Sequence, residues 1–248
     1  MGEPGKWQQR VEEFVFDQVG APPARVLEVG CGEGELARAM ARAGYSVTAI
    51  DPRAPEGHIF RRVRIEKFSA PDSFDYVVAI LSLHHIEDLG MALDKIATLL
   101  RAGGTLVVVE FAWNRFDVAT AEWALERLPD TASSSGGHSW LERCCRGWAG
   151  ASGEAGTSAE AYFARWANEQ GFHSSEQMRA ELDRRFVECL FDWVPYLYPD
   201  LDDATSEADE RAAIETGIIN ATRFRYVGTL AQEENHDAGR FPQPSAGR

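Results

Sequence analysis

The stretch VLEVGCGEGELARAM, residues 26–40, joins an apolar strand to an amphipathic helix through three glycines, Gly30, Gly32 and Gly34. Glycine lets the backbone approach a ligand without steric clashes from Cβ atoms. The helix that follows directs free N–H groups and the positive end of its dipole into the same space. This stretch therefore predicts an α/β fold with a ligand site at the end of a strand.

Apolar strands alternate with helices along much of the chain. Strands are predicted at 25–29, 45–50, 61–68, 76–81, 105–111, 186–197 and 222–230, and helices at 6–19, 35–43, 91–100, 174–185 and about 206–216. This alternation indicates a mostly parallel sheet that is covered by helices on both faces. Gly30, Asp51, Ala79 and Glu110 end four of these strands, so we expect them at one edge of the sheet, where ligands bind.

The chain divides into four kinds of segment by pattern. We predict an N-terminal cap helix in 1–24, an α/β core in 25–113 and 171–231, a helical and aromatic-rich cap or lid in 114–170, and a flexible polar tail in 232–248. The stretches TASSSGGH and GWAGASGEAGTSAE interrupt the cap and have the composition of flexible joints.

Charge and composition restrict the partners. The formal net charge of −14 repels phosphate backbones and anionic lipid, so we expect neither nucleic acid nor membrane as a partner. No apolar run reaches membrane-spanning length, and residues 1–14 lack the apolar core of a secretory signal. The four cysteines form no Cys-x-x-Cys pair, which favours free thiols, no metal site and a cytoplasmic location.

Two acids argue against a dinucleotide at the glycine turn. The dinucleotide motif G-x-G-x-x-G requires glycine at position 35, where this chain has Glu35. Glu28 lies inside an otherwise apolar strand, and a buried carboxylate needs a partner. A nicotinamide oxidoreductase is therefore disfavoured.

The residues EVGCGEG resemble the acid-x-Gly-x-Gly-x-Gly motif of class I S-adenosylmethionine-dependent methyltransferases. FDYVVAILSLHHIEDL is similar to the fourth-strand segment of the small-molecule branch, LLRAGGTLVVVEF is similar to its fifth-strand segment, and ATRFRYVGTL loosely resembles a terminal strand. The strong similarity covers residues 25–112. It implies a Rossmann-like, doubly wound, mostly parallel seven-stranded sheet with an antiparallel terminal strand and a helical cap insertion.

The resemblance also implies S-adenosylmethionine as cofactor and S-adenosylhomocysteine as its product. Asp51 lies 21 residues after Gly30, close to the spacing expected of a ribose-binding acid. By resemblance, the cofactor site comprises Glu28, Gly30, Cys31, Gly32, Gly34, Asp51, Pro52, Glu66, Phe68, Ala79 and Ile80. Glu66 is equally compatible with an exposed charge on an alternating strand.

Three residues are candidates for catalysis. His84 and His85 follow the fourth strand, and histidine suits a general base near neutral pH. In some sugar- and natural-product-modifying relatives a carboxylate at the position of Glu110 and a histidine flank the acceptor. The alternatives are that a histidine packs behind the loop and that Glu110 holds the loop in place.

Aromatic residues are concentrated after the fifth strand, at Trp113, Phe116, Trp123, Trp140, Trp148, Tyr162, Phe163 and Trp166. We expect most of them in the core of the cap and some against a partly apolar acceptor. The substrate candidates are Trp113, Arg115, His138 and Trp140. The acidic run 200–210 is expected to be solvated surface.

The resulting hypothesis is methyl transfer to oxygen or nitrogen of a small molecule, such as a natural product or other secondary metabolite. The expected route is one in-line displacement, with a His/Glu pair near the acceptor. A methyltransferase for protein or RNA and a non-catalytic cofactor-binding module remain alternatives. The assembly is expected to be a monomer or a homodimer.

Overall fold

The computed structural model describes residues 6–129, 139–155 and 158–230. Within those residues it has one sheet of seven strands. The strands are β1 Arg25–Val29, β2 Ser46–Ile50, β3 Phe60–Arg61, β4 Phe74–Ile80, β5 Leu100–Phe111, β6 Phe186–Val194 and β7 Arg223–Leu230. His138 and the residues from 231 onward lie outside the described residues, so the predictions on them stay predictions.

The helices are α1 Lys6–Gln18, α2 Glu35–Arg42, α3 Leu89–Leu99, α4 Val118–Leu125, α5 Trp140–Ala155, α6 Ala159–Gln170, α7 Ser175–Asp183 and α8 Glu207–Glu215. Short 3-10 turns occupy Ile65–Lys67, Leu83–His85, Trp113–Arg115 and Tyr198–Asp200. In the part of the chain that is described, no helix combines the length and apolar character needed to cross a bilayer.

The strand order is β3-β2-β1-β4-β5-β7-β6, and β7 runs in the direction opposite to the other six strands. One hydrophobic cluster packs α3 and α7 on one face of the sheet, and a second packs α1 and α2 on the other. This confirms the predicted doubly wound, Rossmann-like sheet. The carboxyl ends of the parallel strands share one edge, where the loops after β1, β2, β4 and β5 meet.

The third strand is much shorter than predicted. Only Phe60 and Arg61 pair with β2, and the chain then turns into the 3-10 segment at Ile65. The buried side chains in this segment are Ile65 and Phe68, which are three residues apart. That spacing fits the three-residue period of a 3-10 turn rather than the two-residue period of a strand.

A third hydrophobic cluster lies outside the sheet layers. It joins α4, α5, α6 and α8, with Phe116 and Phe163 stacked at its centre at a ring distance of 4.3 Å. Leu197 and Leu201, which follow β6, are also buried in it. The cluster therefore attaches the segment directly after β6 to the helices that follow β5.

The prediction that the acidic run 200–210 is solvated surface is wrong for Glu210. Its side chain is fully buried, and its carboxylate accepts hydrogen bonds from the backbone N–H groups of Tyr196, Leu197 and Tyr198. A buried carboxylate with this many donors is satisfied without a cationic partner. Glu210 thus fixes the turn that carries Tyr196 and Tyr198.

Candidate active site

The glycine turn between β1 and α2 is tied to the end of β2. The backbone N–H groups of Gly30 and Cys31 both donate to the carbonyl oxygen of Ile50, at 2.8 and 3.1 Å. Gly30 and Gly32 have φ values of +76° and +49°, which glycine adopts without strain. A Cβ at Gly30 would lie 2.3 Å from that of Ser82, whereas a Cβ at Gly32 would meet no described atom within 4 Å. Gly32 therefore borders open space.

Asp51 stabilises the same turn. One carboxylate oxygen accepts the N–H of Gly32 at 3.2 Å, and the other accepts the N–H of Arg53 at 2.7 Å. A carboxylate offers about four lone-pair positions, so Asp51 keeps acceptor capacity for a ligand.

The turn forms the floor of a cleft of about 430 Å³, called here the cofactor cleft. It is lined by Val29, Gly30, Gly32, Ile50, Asp51, Pro52, Arg53, Val63, Arg64, Ile65, Glu66, Leu81, Ser82, His85, Ile86 and Glu87. Oxygen Oε2 of Glu66 is enclosed and has no hydrogen-bond partner among the described residues. A buried acceptor of this kind requires a donor, which a ligand in the cleft can supply.

Glu28 faces α2 rather than the cofactor cleft. Its carboxyl accepts a hydrogen bond from the backbone N–H of Ala37, in the first turn of α2. Gly34, the N-cap residue, gives no side-chain cap, so Glu28 satisfies one of the free N–H groups of the helix. Burial raises the pKa of Glu28 to about 8, and the charge of Asp51 adds to the effect.

The remaining cofactor candidates lie behind the cleft surface. Gly34 packs against the ring of Phe60, where a Cβ would approach to 2.3 Å. Cys31 and Phe68 are buried in the two sheet-face clusters, and Ala79 has no exposed surface at the centre of the sheet. Ile80 does not line the cleft either. The lining residues at the end of β4 are Leu81 and Ser82, which follow Ile80 in the chain.

Glu110 organises the loop after β4. Its side chain is fully buried, and oxygen Oε1 accepts the N–H groups of Ser82 and Leu83 at 2.7 and 2.5 Å. Oxygen Oε2 lies 2.6 Å from Nδ1 of His84. Because a carboxylate only accepts, Nδ1 of His84 carries the proton and donates it. His84 is itself buried, so this pair supports the loop from below.

His85 lines the cofactor cleft and His84 does not. The centres of the two rings lie 4.0 Å apart with the planes tilted by 37°, and Phe172 contacts the His85 ring edge-on at 4.6 Å. His85 is exposed overall, and these neighbours enclose part of its ring. This burial, together with the proximity of His84, lowers the pKa of His85 to about 4. His85 is therefore neutral at physiological pH.

A second and larger cleft of about 910 Å³ lies beside the first. This acceptor cleft, as we name it, is lined by Trp7, Gln9, Arg10, Glu13, Leu81, Trp140, Tyr196, Tyr198, Pro199, Asp200, Leu201, Asp202, Asp203, Thr205, Ser206, Glu207 and Ala208. Leu81 lines both clefts, so they adjoin at this residue. Leu81 has φ of +48°, a left-handed conformation that costs a residue with a Cβ some strain.

Of the substrate candidates, Trp140 lines the acceptor cleft, whereas Trp113 and Arg115 line neither cleft. The indole N–H of Trp113 donates to the carbonyl oxygen of His173 at 3.0 Å. Arg115 donates to the carbonyl oxygen of Ala221 and lies 4.0 Å above the ring of Trp193. Both residues connect the turn after β5 to the loops that precede α7 and β7.

Several lining residues could not be chosen from sequence. Tyr196 and Tyr198 follow β6, more than 110 positions after Leu81, and α1 brings Trp7 and Arg10 from the N-terminal part of the chain. In the sequence, the signal for a cleft role of Tyr196 and Tyr198 is that these two tyrosines flank Leu197, at the end of a predicted strand. Leu81 has no distinguishing residue type, and its unusual φ appears only in the structure.

The sequence profile of the methyltransferase domain family matches residues 3–146, which is more than half of the chain. A ubiquinone biosynthesis O-methyltransferase of Bradyrhizobium sp. (strain ORS 278) is 32% identical over 133 residues, covering 47% of this chain and 51% of that protein. The chain thus spans about half the length of the curated relatives it matches.

Solved structures with a similar fold include two methyltransferases. N-methyltransferase NodS from Bradyrhizobium japonicum WM9, in complex with S-adenosylhomocysteine, covers 92% of this chain and 89% of its own, with a TM-score of 0.51 and 16% identity. The 1,6-didemethyltoxoflavin-N1-methyltransferase of Burkholderia thailandensis covers 90% and 78%, with a TM-score of 0.51 and 15% identity. At such identities the likeness shows the fold alone. The glycine turn, the doubly wound sheet and the family match together show that the chain belongs to the class I S-adenosylmethionine-dependent methyltransferases.

Proposed function

We propose that this protein transfers a methyl group from S-adenosylmethionine to a small molecule held in the acceptor cleft. The observation that carries the proposal is that the cofactor cleft and the acceptor cleft adjoin at Leu81, directly above the loop fixed by Glu110. Methyl transfer needs donor and acceptor to meet along one line, and two adjoining clefts supply that arrangement.

The residues of the cofactor cleft fit this cofactor. The spare acceptor capacity of Asp51 suits the two hydroxyls of a ribose, and the unpartnered oxygen of Glu66 suits an amino group such as that of adenine. The open space beside Gly32 leaves the backbone accessible to the ligand. When bound, S-adenosylmethionine supplies an electrophilic methyl group on its sulfonium.

The main contribution of the protein to the reaction is to hold the methyl donor and the acceptor in fixed positions. The N–H of Leu81 donates to the carbonyl oxygen of Val109 at 2.8 Å, and the next two N–H groups donate to Glu110. These bonds fix the boundary between the clefts, so donor and acceptor meet at a constant place. His84 acts through this loop, as a positioning residue.

His85 is the candidate that can touch the reacting groups, since it lines the cofactor cleft near the junction. Being neutral, it can accept a proton from the acceptor. With a pKa of about 4 it is a weak base, so it gives limited help to a hydroxyl acceptor. Nitrogen acceptors, which are stronger nucleophiles once neutral, need less assistance.

A small molecule from specialised metabolism is the acceptor we favour. The acceptor cleft has the volume of a small-ligand site, and aromatic rings from distant parts of the chain line it. One solved structure of similar fold, the 1,6-didemethyltoxoflavin-N1-methyltransferase, holds a small-molecule substrate, which supports the same class. The large net negative charge makes a nucleic acid acceptor less compatible.

Calorimetry tests the cofactor half of the proposal. We expect S-adenosylhomocysteine to bind and NAD not to bind. Asp51→Asn should weaken S-adenosylhomocysteine binding by about tenfold or more, because a neutral amide is a poorer acceptor for ribose hydroxyls. The matched control is Asp17→Asn, on the exposed side of α1, which should bind as the parent does. Preferential NAD binding would reject the proposal.

Isotope transfer tests the acceptor half. The protein is incubated with S-adenosylmethionine labelled in its methyl group and a bacterial extract, which is then separated into small molecules, protein and RNA. Label in the small-molecule fraction is expected. Label confined to protein or RNA would favour the macromolecular alternative, and cofactor binding without transfer to any fraction would favour a non-catalytic module.

A further inference from the structure

We propose that the acceptor cleft selects a positively charged substrate, namely an organic ammonium ion with an apolar body. The inference rests on the proposed function, because it assigns the substrate class of that cleft. It is carried by the combination of aromatic walls, an excess of carboxylates and an unpartnered buried hydroxyl.

Aromatic rings form the inner wall of the acceptor cleft. Trp140 and Tyr196 stack at 5.6 Å with an interplanar angle of 24°, and Trp7 and Tyr198 also line the space. The side chain of Asp200 accepts hydrogen bonds from the side chains of Ser139 and Trp140, which fixes the indole. The face of an aromatic ring attracts cations, most strongly for tryptophan and where water is excluded.

Carboxylates outnumber cationic groups among the lining residues. Glu13, Asp200, Asp202, Asp203 and Glu207 line the cleft, against the single guanidinium of Arg10. A cleft with one sign of charge and low-dielectric walls concentrates ions of the opposite sign. The net charge of the lining therefore favours a cation.

Arg10 is already held by two of these carboxylates. Its guanidinium lies 3.2 Å from Glu13 and 3.1 Å from Glu207, and Arg211 adds a second contact to Glu207. Arg10 thus bridges α1 and α8 at the cleft wall, and its charge is neutralised there. Asp203 is exposed and available to an incoming cation.

The guanidinium of Arg223 is a positive charge near the acceptor cleft and would disfavour a cationic ligand. Arg223 is 1% exposed, and its guanidinium lies 5.6 Å from the ring centre of Tyr196. It does not line the cleft, and the buried carboxylate of Glu210 interacts with it electrostatically. Its nitrogens Nε and Nη1 have no hydrogen-bond partner among the described residues, so an anion is the competing ligand, whereas the excess carboxylates border the space itself.

Tyr198 adds a polar group that calls for a partner. The residue is 7% exposed and lines the cleft, yet its hydroxyl has no hydrogen-bond partner among the described residues. A buried hydroxyl without a partner is costly, and one N–H of a bound ammonium group can donate to its oxygen. The hydroxyl can also donate, so the preference for a cation comes from the aromatic faces and the carboxylates, and the hydroxyl adds an acceptor.

The test compares three probes of similar shape on protein saturated with S-adenosylhomocysteine: 2-phenylethylamine, 2-phenylethanol and 3-phenylpropionate. Ligand-observed NMR gives each dissociation constant. We expect the amine to bind about tenfold more tightly than the alcohol, which is equivalent to about 1.4 kcal/mol, and its advantage to shrink as salt is added. Equal binding of the three probes, no binding of the amine, or tightest binding of 3-phenylpropionate would overturn the inference; the last result would make Arg223 the recognition group.

Variants of the lining carboxylates test whether these groups cause the preference for the amine. Asp203→Asn and Glu207→Gln together should remove most of the preference for the amine over the alcohol. The matched control, Glu215→Gln at the exposed end of α8, should retain it. An unchanged preference in the double variant would also overturn the inference. The affinity for S-adenosylhomocysteine is measured on the same samples: its absence rejects the proposed function, whereas intact affinity without a preference for the amine rejects only the present inference.

Discussion

Two buried carboxylates, those of Glu110 and Glu28, hold backbone segments next to the candidate active site in place. Glu110 and Glu28 both lie near the carboxyl edge of the sheet, but on opposite faces. Glu110 accepts hydrogen bonds from the backbone N–H groups of Ser82, Leu83 and Phe111 and from His84, whereas oxygen Oε2 of Glu28 has no partner among the described residues. The difference in their partners leads to different expectations for the two side chains.

Glu110→Gln should destabilise the fold by about 2–4 kcal/mol, because the amide nitrogen of glutamine would face a donor instead of accepting from it. Turnover should fall more than the affinity for S-adenosylhomocysteine, since Glu110 holds the loop of Ser82 in place but does not itself line the cofactor cleft. Urea denaturation and calorimetry measure the two effects. Glu169→Gln, on the exposed face of α6, serves as control and should shift stability by less than about 0.5 kcal/mol.

Glu28 makes stability depend on pH. Its pKa is about 8 in the folded protein against an ordinary value of 4.5, so the folded state holds more protons than the unfolded state between these values. Stability contributed by this group is therefore present at pH 4.5 and is lost as the pH rises toward 8, by at most about 1.4 kcal/mol per pH unit.

Glu28→Gln should remove this contribution, so that the variant loses less stability than the parent between pH 5 and 8. The measurement is the urea midpoint of the cofactor-free protein across that range. Glu33→Gln, an exposed neighbour on the glycine turn, should follow the parent curve. A parallel pH dependence in Glu28→Gln would contradict the assignment.

At the scale of elements, the strand-turn-helix unit is the most self-contained part of the site. The turn, its positive φ values and its helix follow from a local sequence of fifteen residues. The length of the third strand does not follow from its own sequence, because the apolar residues after Arg61 fit both a strand and a 3-10 turn. Burial of Ile65 and Phe68 against α3 and β4 decides between them.

Gly32→Ala tests the turn as a ligand-binding element. The added Cβ meets open space, so the cost to stability should be only the left-handed strain of about 1–2 kcal/mol, while the affinity for S-adenosylhomocysteine should fall by about tenfold or more. Gly171→Ala is the matched control, since its φ is +70°, its Cβ also meets no described atom, and it lies at the end of α6. Equal affinities in the two variants would show that Gly32 does not border the ligand.

At the scale of the whole molecule, two hydrophobic clusters stabilise the sheet and a third stabilises the helices over its edge. The acceptor cleft lies where α1, from one sheet face, meets Trp140 and α8 of the third cluster. Its shape therefore depends on how the third cluster packs, whereas the cofactor cleft is built from loops of the sheet itself.

Phe163→Ala should lower stability by about 3–5 kcal/mol, because a fully buried ring stacked on Phe116 is lost. Hydrogen exchange should accelerate in α4, α5 and α6, while β1, β4 and β5 stay protected and S-adenosylhomocysteine still binds. Uniform acceleration across the sheet would instead show that the third cluster and the sheet unfold as one unit.

The amino-acid sequence alone specifies the sheet apart from its third strand, the glycine turn and the family of the cofactor. These depend on short-range patterns, such as apolar runs, the glycines at 30, 32 and 34, and Asp51 at the end of β2. Tertiary structure alone decided that Leu81 joins the two clefts, that His84 is buried behind His85, and that Glu210 lies inside the protein. Each of these depends on contacts between segments that are distant in the chain, and local residue patterns carry no information about which distant segments will meet.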